Sequence, residues 1–442
     1  MTDRRSFIVS MLAPGERPGT YLVRGRGVEL TLGDGRTVID GGSLSSCILG
    51  HCHPEVVRAV QAAAESVYVG HGDGYQPRHD AADDLLDIAF AGEDWADGVA
   101  FFISSSEAAD IGLLLAQTLT GRSPLVARER GYHGNVGLAR AASAHPLWDT
   151  KLAAIADGSV FNAPGGRGPA RFLPVPECGL GTSPPEHDCA TSCLRDAPVL
   201  LDGAAAAIMD YTQGAVCPSP GYQDTLARLT REAGAYWIAD ETVTAFGRLG
   251  HGFAFQRGAT RPDMVTLGKG ITGGAAPGGA LVLSRSVVDE IGDRRWTTSS
   301  TFRGHPLTVA AVSATMRVLR DEQLVARAAA MGPELGRDVH SIAARHPSVV
   351  RVVGEGMMWQ LYLDVPSRFA EGTWAGGGRA PSPAELVHRE GLDHGAFIGV
   401  FSGQCVWLIP PLVIERDQLD VVLEALDAAL VVADRALEEV SV

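Results

Sequence analysis

Short runs of consecutive apolar residues alternate along the chain with longer stretches whose apolar positions recur every three or four residues. Runs of the first kind predict strands buried on both faces, and the second kind predicts helices packed against them. Their alternation predicts an α/β fold. Strand candidates are residues 99–103, 125–127, 205–209, 236–240 and the run leading to residue 267, and residues 107–120 have helical spacing. From about Gln323 the pattern predicts an amphipathic helix, a strand over 357–363 and a last helix after Asp417. There is no internal repeat and no low-complexity linker between independent modules.

Two of these strand candidates end on chemistry. One closes on Asp240, followed by Glu241, and the next leads to Gly268-Lys269-Gly270, 29 residues later (269 − 240). Strands of an open α/β sheet deliver the side chains at their tips to a shared crevice. An amine and a carboxylate there suit pyridoxal phosphate: the lysine forms a Schiff base with the aldehyde, and the acid keeps the pyridinium nitrogen protonated. Taken alone, a lysine between glycines is far more often a surface residue in a loop. Ser104, Ser105 and Ser106 form the second element, because hydroxyl residues opening a helix place backbone N–H groups and the positive helix end against a phosphate. An ordinary serine N-cap is the competing reading.

Composition narrows the class. A chain of 442 residues with 45% hydrophobic content buries a large core and predicts more than one domain. A net charge of -15 with no basic run argues against nucleic acid. The short basic segment near Arg4 and Arg5 is soon interrupted by Pro14 and Gly15, unlike a signal peptide, and no apolar stretch reaches the roughly 20 residues of a membrane span. A soluble cytoplasmic protein is expected. Of the seven cysteines, Cys178, Cys189 and Cys193 crowd around His187. Without a paired C-x-x-C they are expected to be reduced thiols in a surface excursion, with no metal. Residues 158–198 are poorly periodic and predict a long loop over the site's mouth.

Residues 238–284 read IADETVTAFGRLGHGFAFQRGATRPDMVTLGKGITGGAAPGGALVLS, residues 33–40 GDGRTVID, residues 50–54 GHCHP and residues 409–414 IPPLVI. In this order they closely resemble the class III aminotransferases, a branch of the fold-type I pyridoxal phosphate enzymes, over nearly the whole chain. The resemblance implies a large domain with a mixed, mostly parallel sheet (66–322) and a small α+β domain assembled from both termini (1–65 and 323–442), with 409–414 as a C-terminal strand. It implies Lys269 as the Schiff-base lysine, Asp240 as the ring-nitrogen partner and Ser104, Ser105 and Ser106 as the phosphate cradle, although the family has glycine where this chain has Ser105. Tyr132, in the segment Tyr132-His133-Gly134, would lie on the ring face, where a flat ring excludes water. Thr242 would support the other face, with Asp210 and Val243 close to the cofactor. Thr301 would reach the phosphate of a neighbouring subunit, making the active site a homodimer's. Gly376, Gly377 and Gly378 would form a mobile loop.

Departures from the family pattern bear on the substrate. Where many relatives carry a carboxylate-gripping arginine this chain has Trp407, and the nearby segment containing Phe401 has no movable arginine. The acid that often pairs with that arginine falls at Ala215, the usual Glu-Pro is Asp210-Tyr211, and a common glutamine is Val243. Either the arginine switch is lost and Trp407 and Phe401 meet the substrate, or Arg303, Arg248 or another arginine replaces it. Three functions follow: an aminotransferase on an unusual amine or amino acid of specialised metabolism; an enzyme of decarboxylation, elimination, racemisation or carbon–carbon bond formation on the same scaffold; or an inactive binding protein. Retention of Lys269, Asp240, the serines and Thr301 disfavours the last.

Overall fold

The computed structural model describes residues 21–42, 44–66, 74–145, 170–176, 187–212, 218–294, 296, 298, 300–364 and 381–440. Near the N-terminus β1 (Leu22–Arg26), β2 (Glu29–Leu32) and β3 (Thr37–Asp40) form an antiparallel ribbon. The central sheet contains β4 (Ala96–Phe102), β5 (Leu125–Arg128), β6 (Ala170–Leu173), β7 (Ala206–Asp210), β8 (Tyr236–Asp240), β9 (Met264–Leu267) and β10 (Gly279–Ser284). Its spatial order is β4-β10-β9-β8-β7-β5-β6. All neighbours from β6 to β9 run parallel, and β10 lies antiparallel between β9 and β4. Further on come β11 (Val349–Glu355), β12 (Met358–Leu363), β13 (Ala396–Phe397), β14 (Gly399–Ser402) and β15 (Cys405–Leu408). β11, β12, β15 and β14 make a third sheet, while β13 returns to pair in parallel with β3. This is the mixed, mostly parallel α/β architecture expected of a fold-type I enzyme.

Parallel strands read as unbroken apolar runs because both faces are covered. β7, β9 and β10 are buried at every position. The helix Ser105–Thr120 covers one face through Ala108, Ala109, Gly112, Leu113 and Ala116, and a Cβ at Gly112 would stand 3.0 Å from Leu281. Small residues on this face let the helix lie close to β9 and β10, which brings its first turn to the strand tips.

Two sequence expectations fail here. Residues 409–414 are not a strand: β15 ends at Leu408, because Pro410 and Pro411 have no N–H for a ladder. That segment instead crosses to the N-terminal region, with Ile409 N–H donating to Gly41 O (2.7 Å) and Leu412 N–H to Ile48 O (2.9 Å). Nor is 158–198 one long loop, since it contains β6, paired with β5, and the start of the helix Ala197–Leu201. Gly376, Gly377, Gly378, Ala215 and Cys178 lie outside the described residues. Among the described residues no helix is long and apolar enough to cross a membrane.

Candidate active site

Register across the sheet sets the site. Asp210 of β7 is opposite Asp240 of β8, and Asp240 is opposite Thr266 of β9. Three polar side chains thus line up at the strand tips, with Lys269 just beyond β9. The first turn of the helix Ser105–Thr120 meets them from the side. A cavity opens there, lined by Ser105, Ser106, Tyr132, His133, Gly134, Asp210, Tyr211, Thr212, Asp240, Thr242, Val243, Thr244 and Lys269.

Asp240 is 4% exposed and its carboxylate is fully engaged. Oδ2 lies 2.8 Å from His133 Nδ1, and Oδ1 accepts from Thr242 Oγ1 (2.6 Å), Thr242 N–H (3.1 Å) and Thr266 Oγ1 (3.0 Å). Burial, the largest influence, pushes its pKa up; the hydrogen bond and charge of His133, with the Thr242 bonds, outweigh it and hold the carboxyl below its ordinary value. Neighbouring Glu241 faces the core, accepting from Phe255 N–H (2.8 Å) and the Thr244 hydroxyl, and burial raises it to about 7. Only the first acid of the pair is held as an anion at the cavity.

Lys269 has φ 45°, an uncommon conformation for a side-chain-bearing residue that costs on the order of 1 kcal/mol. The strained backbone turns its amine from the end of β9 into the cavity. Burial lowers the amine's pKa, although Asp240 and Asp210 pull it the other way. Asp210 is held by Arg128, whose Nη2 donates to Oδ1 at 2.6 Å, and Asp210 Oδ2 accepts the Tyr132 N–H at 3.2 Å. With both partners of the ion pair buried, removing either leaves an uncompensated charge, worth about 3–5 kcal/mol. Tyr132 is thereby placed through its backbone, and burial raises the pKa of its phenol.

Close backbone approach completes the cradle. A Cβ at Gly268 would lie 2.7 Å from Ser105 Cβ, and one at Gly134, with φ 137°, would lie 2.6 Å from Ser106 Oγ. Ser105 is the first residue of a right-handed helix, so its backbone accommodates a side chain where relatives have glycine. Ser104 is the N-cap, its Oγ accepting from Glu107 N–H at 3.2 Å, and it does not line the cavity. The capping reading therefore applies to Ser104, while Ser105 and Ser106 face the cavity.

Five other predicted residues, Phe401 among them, also lie outside the cavity lining. Thr301 is exposed on a turn. Arg303 lines a separate groove with Arg78 and Trp296 and donates to Thr298 O. Trp407, 5% exposed in β15, stacks face to face on Phe401 with centroids 4.5 Å apart. The aromatic surface expected for a substrate is covered by Phe401, which meets His145 edge-on. Arg248 is also committed elsewhere, donating to Met357 O (3.0 Å) and Pro410 O (2.6 Å). No arginine lines the cavity among the described residues. Sequence reasoning did not identify Gly134, Tyr211, Thr212 and Thr244 as lining residues, nor Arg128 and Thr266 as supports. Tyr211 and Gly134 adjoin chosen residues, whereas Thr266 and Arg128 are revealed only by strand register.

The chemistry of this donor set fits pyridoxal phosphate: an amine, a buried anion, an aromatic ring and a helix N-terminus with small residues meet in one cavity. A family model described as "Aminotransferase class-III" matches residues 12–430. The acetylornithine aminotransferase of Mycobacterium tuberculosis is 30% identical over 451 residues, covering 99% of this chain and 97% of that protein. The taurine:2-oxoglutarate aminotransferase from Bifidobacterium kashiwanohense superposes with a TM-score of 0.84 at 24% identity, covering 97% and 96% of the two chains. A phospholyase from Arthrobacter, solved in complex with phosphoethanolamine, gives 0.76 at 25% identity, covering 94% and 95%.

Proposed function

The chain belongs to the class III aminotransferases, and from that premise we propose that it takes its amino group from a non-standard amine or amino acid of specialised metabolism. It is a pyridoxal phosphate enzyme. The bound cofactor supplies an aldehyde for the amino group and a ring that withdraws electrons from the adjacent carbon. In the proposed assignment Lys269 would hold the cofactor through its aldehyde and, once free, its amine would move a proton at the substrate carbon. Its burial favours the neutral amine that such work requires. Asp240, kept anionic by His133 and Thr242, would pair with the ring nitrogen. Tyr132 would cover the ring and exclude water, Thr242 and Val243 would bound its other side, and Ser105, Ser106 and the helix N-terminus would take the phosphate. Thr301 is proposed to serve the partner's site in a cytoplasmic homodimer.

The observation that supports an unusual substrate is the absence of arginine from the described cavity wall. A second carboxylate buried without a cation costs several kcal/mol, so glutamate and 2-oxoglutarate should be poor substrates. The test is a single-turnover panel of amines and amino acids, glutamate included, followed by cofactor absorbance and product mass. Conversion of the cofactor to its amine form by a non-glutamate donor supports the proposal. Efficient turnover of glutamate overturns the substrate assignment, and an elimination product with the cofactor left as the aldehyde would favour a reaction like that implied by the phospholyase's name.

A further inference from the structure

Away from the cofactor cavity, between β6 and the helix Ala197–Leu201, the chain runs through turns from Cys189 to Asp196. Cys189 and Cys193 were expected on a surface excursion, yet they are only 3% and 8% exposed and pack into the main core beside Leu194. His187 Nε2 lies 3.2 Å from Cys193 Sγ, and the two sulfurs are 3.6 Å apart. All three donor atoms fall within 4.8 Å of one another. Core packing alone accounts for buried cysteines. Packing and the disulfide at Cys189 place the sulfurs, but they do not account for an imidazole nitrogen 3.2 Å from Cys193 Sγ.

From this convergence we propose that the reduced protein binds a zinc ion through His187, Cys189 and Cys193. Zinc bonds of about 2.3 Å to sulfur and 2.0–2.1 Å to nitrogen give tetrahedral edges of roughly 3.8 Å between sulfurs and 3.6 Å between nitrogen and sulfur. The sulfur–sulfur and His187–Cys193 separations are a few tenths of an ångström shorter and His187 lies within 4.8 Å of Cys189, so side-chain rotation would bring the three onto an ion. Cys189 is disulfide-bonded, so the metal-binding form is the reduced one. A phosphine reductant opens that disulfide to two thiols, taking oxygen from water to become the phosphine oxide while water's protons go to the sulfurs. Zinc then displaces the thiol protons of Cys189 and Cys193 to solvent, while neutral His187 binds through Nε2. The three ligands occupy one face of a tetrahedron and leave one coordination position.

A cation here would fasten a segment of turns that packs, through Cys193, into the same buried core as Tyr222 of the helix Pro220–Glu232.

The experiment uses untagged, cofactor-loaded protein reduced with a non-chelating phosphine, incubated with zinc and freed of excess metal. Elemental analysis should find about one zinc per chain. Cys193→Ser and His187→Ala should each lower that to background while the cofactor's visible absorbance remains. Because those variants could lose structure, the unaltered protein is also loaded with Co²⁺, which should develop thiolate charge-transfer absorption, and zinc should protect both thiols from alkylation. The proposal is overturned if reduced protein retains no more zinc than the variants, if cobalt gives no thiolate band, or if the thiols alkylate equally with and without zinc.

Discussion

His133→Phe isolates the device that keeps Asp240 charged. The substitution keeps a flat ring in a fully buried position and removes the donor that, among the described residues, reaches Oδ2, at 2.8 Å. A hydrogen bond to a charged group contributes about 1.5–3 kcal/mol. At 1.36 kcal/mol per pKa unit, its loss raises the acid by about 1–2 units. The sign follows from the balance at the site: burial already pushes Asp240 upward, and His133 is the first of the influences opposing it. Because the native carboxyl sits below its ordinary value, the function it supports is present at neutral pH and is lost as pH falls through that lowered pKa. The variant should lose it earlier, so the acid limb of the amine half-reaction moves up by about 1–2 pH units. His133→Gln, which can still donate, should restore part of the difference. The assay is stopped-flow absorbance of the bound cofactor against pH for all three proteins. An acid limb unchanged in His133→Phe, with measurable turnover remaining, would refute the argument that this imidazole governs Asp240.

Lys269→Ala should remain folded but lose the cofactor label fixed by borohydride, and peptide mapping that finds the label of the unaltered protein on another lysine would reject the assignment. Arg128→Met should destabilise the protein by about 3–5 kcal/mol, because it leaves Asp210 buried without its cation; a denaturation midpoint unchanged from the unaltered protein would show that the pair is not structural. His51 is raised from 6.5 to about 10, chiefly by its hydrogen bond to Asp40 (2.9 Å) and then by Cys47. Its contribution to stability is therefore full below pH 6.5 and fades as pH rises to about 10, so the melting temperature should fall across that window and His51→Gln should flatten the fall.

The sequence discloses the central sheet because its strands are buried on both faces, and such strands must be written as apolar runs. The runs ending in Asp240 and leading to Lys269 are the extreme case, since β8 and β9 are neighbours and parallel. β6 escapes notice for the opposite reason: it has four residues at the sheet edge, and Arg171 and Phe172 are only partly buried. Residues 409–414 mislead because the family resemblance suggests a strand while two prolines forbid its hydrogen bonds. At the site, residue type reveals the acid and the amine but not the prior commitments of other groups. Arg248 looks available until its guanidinium is found bonded to two backbone carbonyls, and Trp407 looks like a pocket wall until its face is found against Phe401. These are facts of three-dimensional neighbourhood that no local pattern carries.

One physical condition, removal from water, acts on both reactive groups and produces opposite outcomes. Desolvation disfavours charge, so it should neutralise an amine and a carboxylic acid alike. At Lys269 it prevails, because Asp240 and Asp210 act only through their charges and the amine pKa falls. At Asp240 it is overcome, because His133, Thr242 and Thr266 bring hydrogen atoms directly to both carboxylate oxygens. The difference lies in donors fixed by strand register and by the turn after β8, and it separates the two protonation states as acid–base chemistry requires. Glu241 supplies an internal comparison: equally buried and with three donors to its carboxyl, it lacks an imidazole and is raised to about 7. Desolvation sets the scale of both shifts, and the His133 ring decides which carboxyl of the Asp240-Glu241 pair remains an anion.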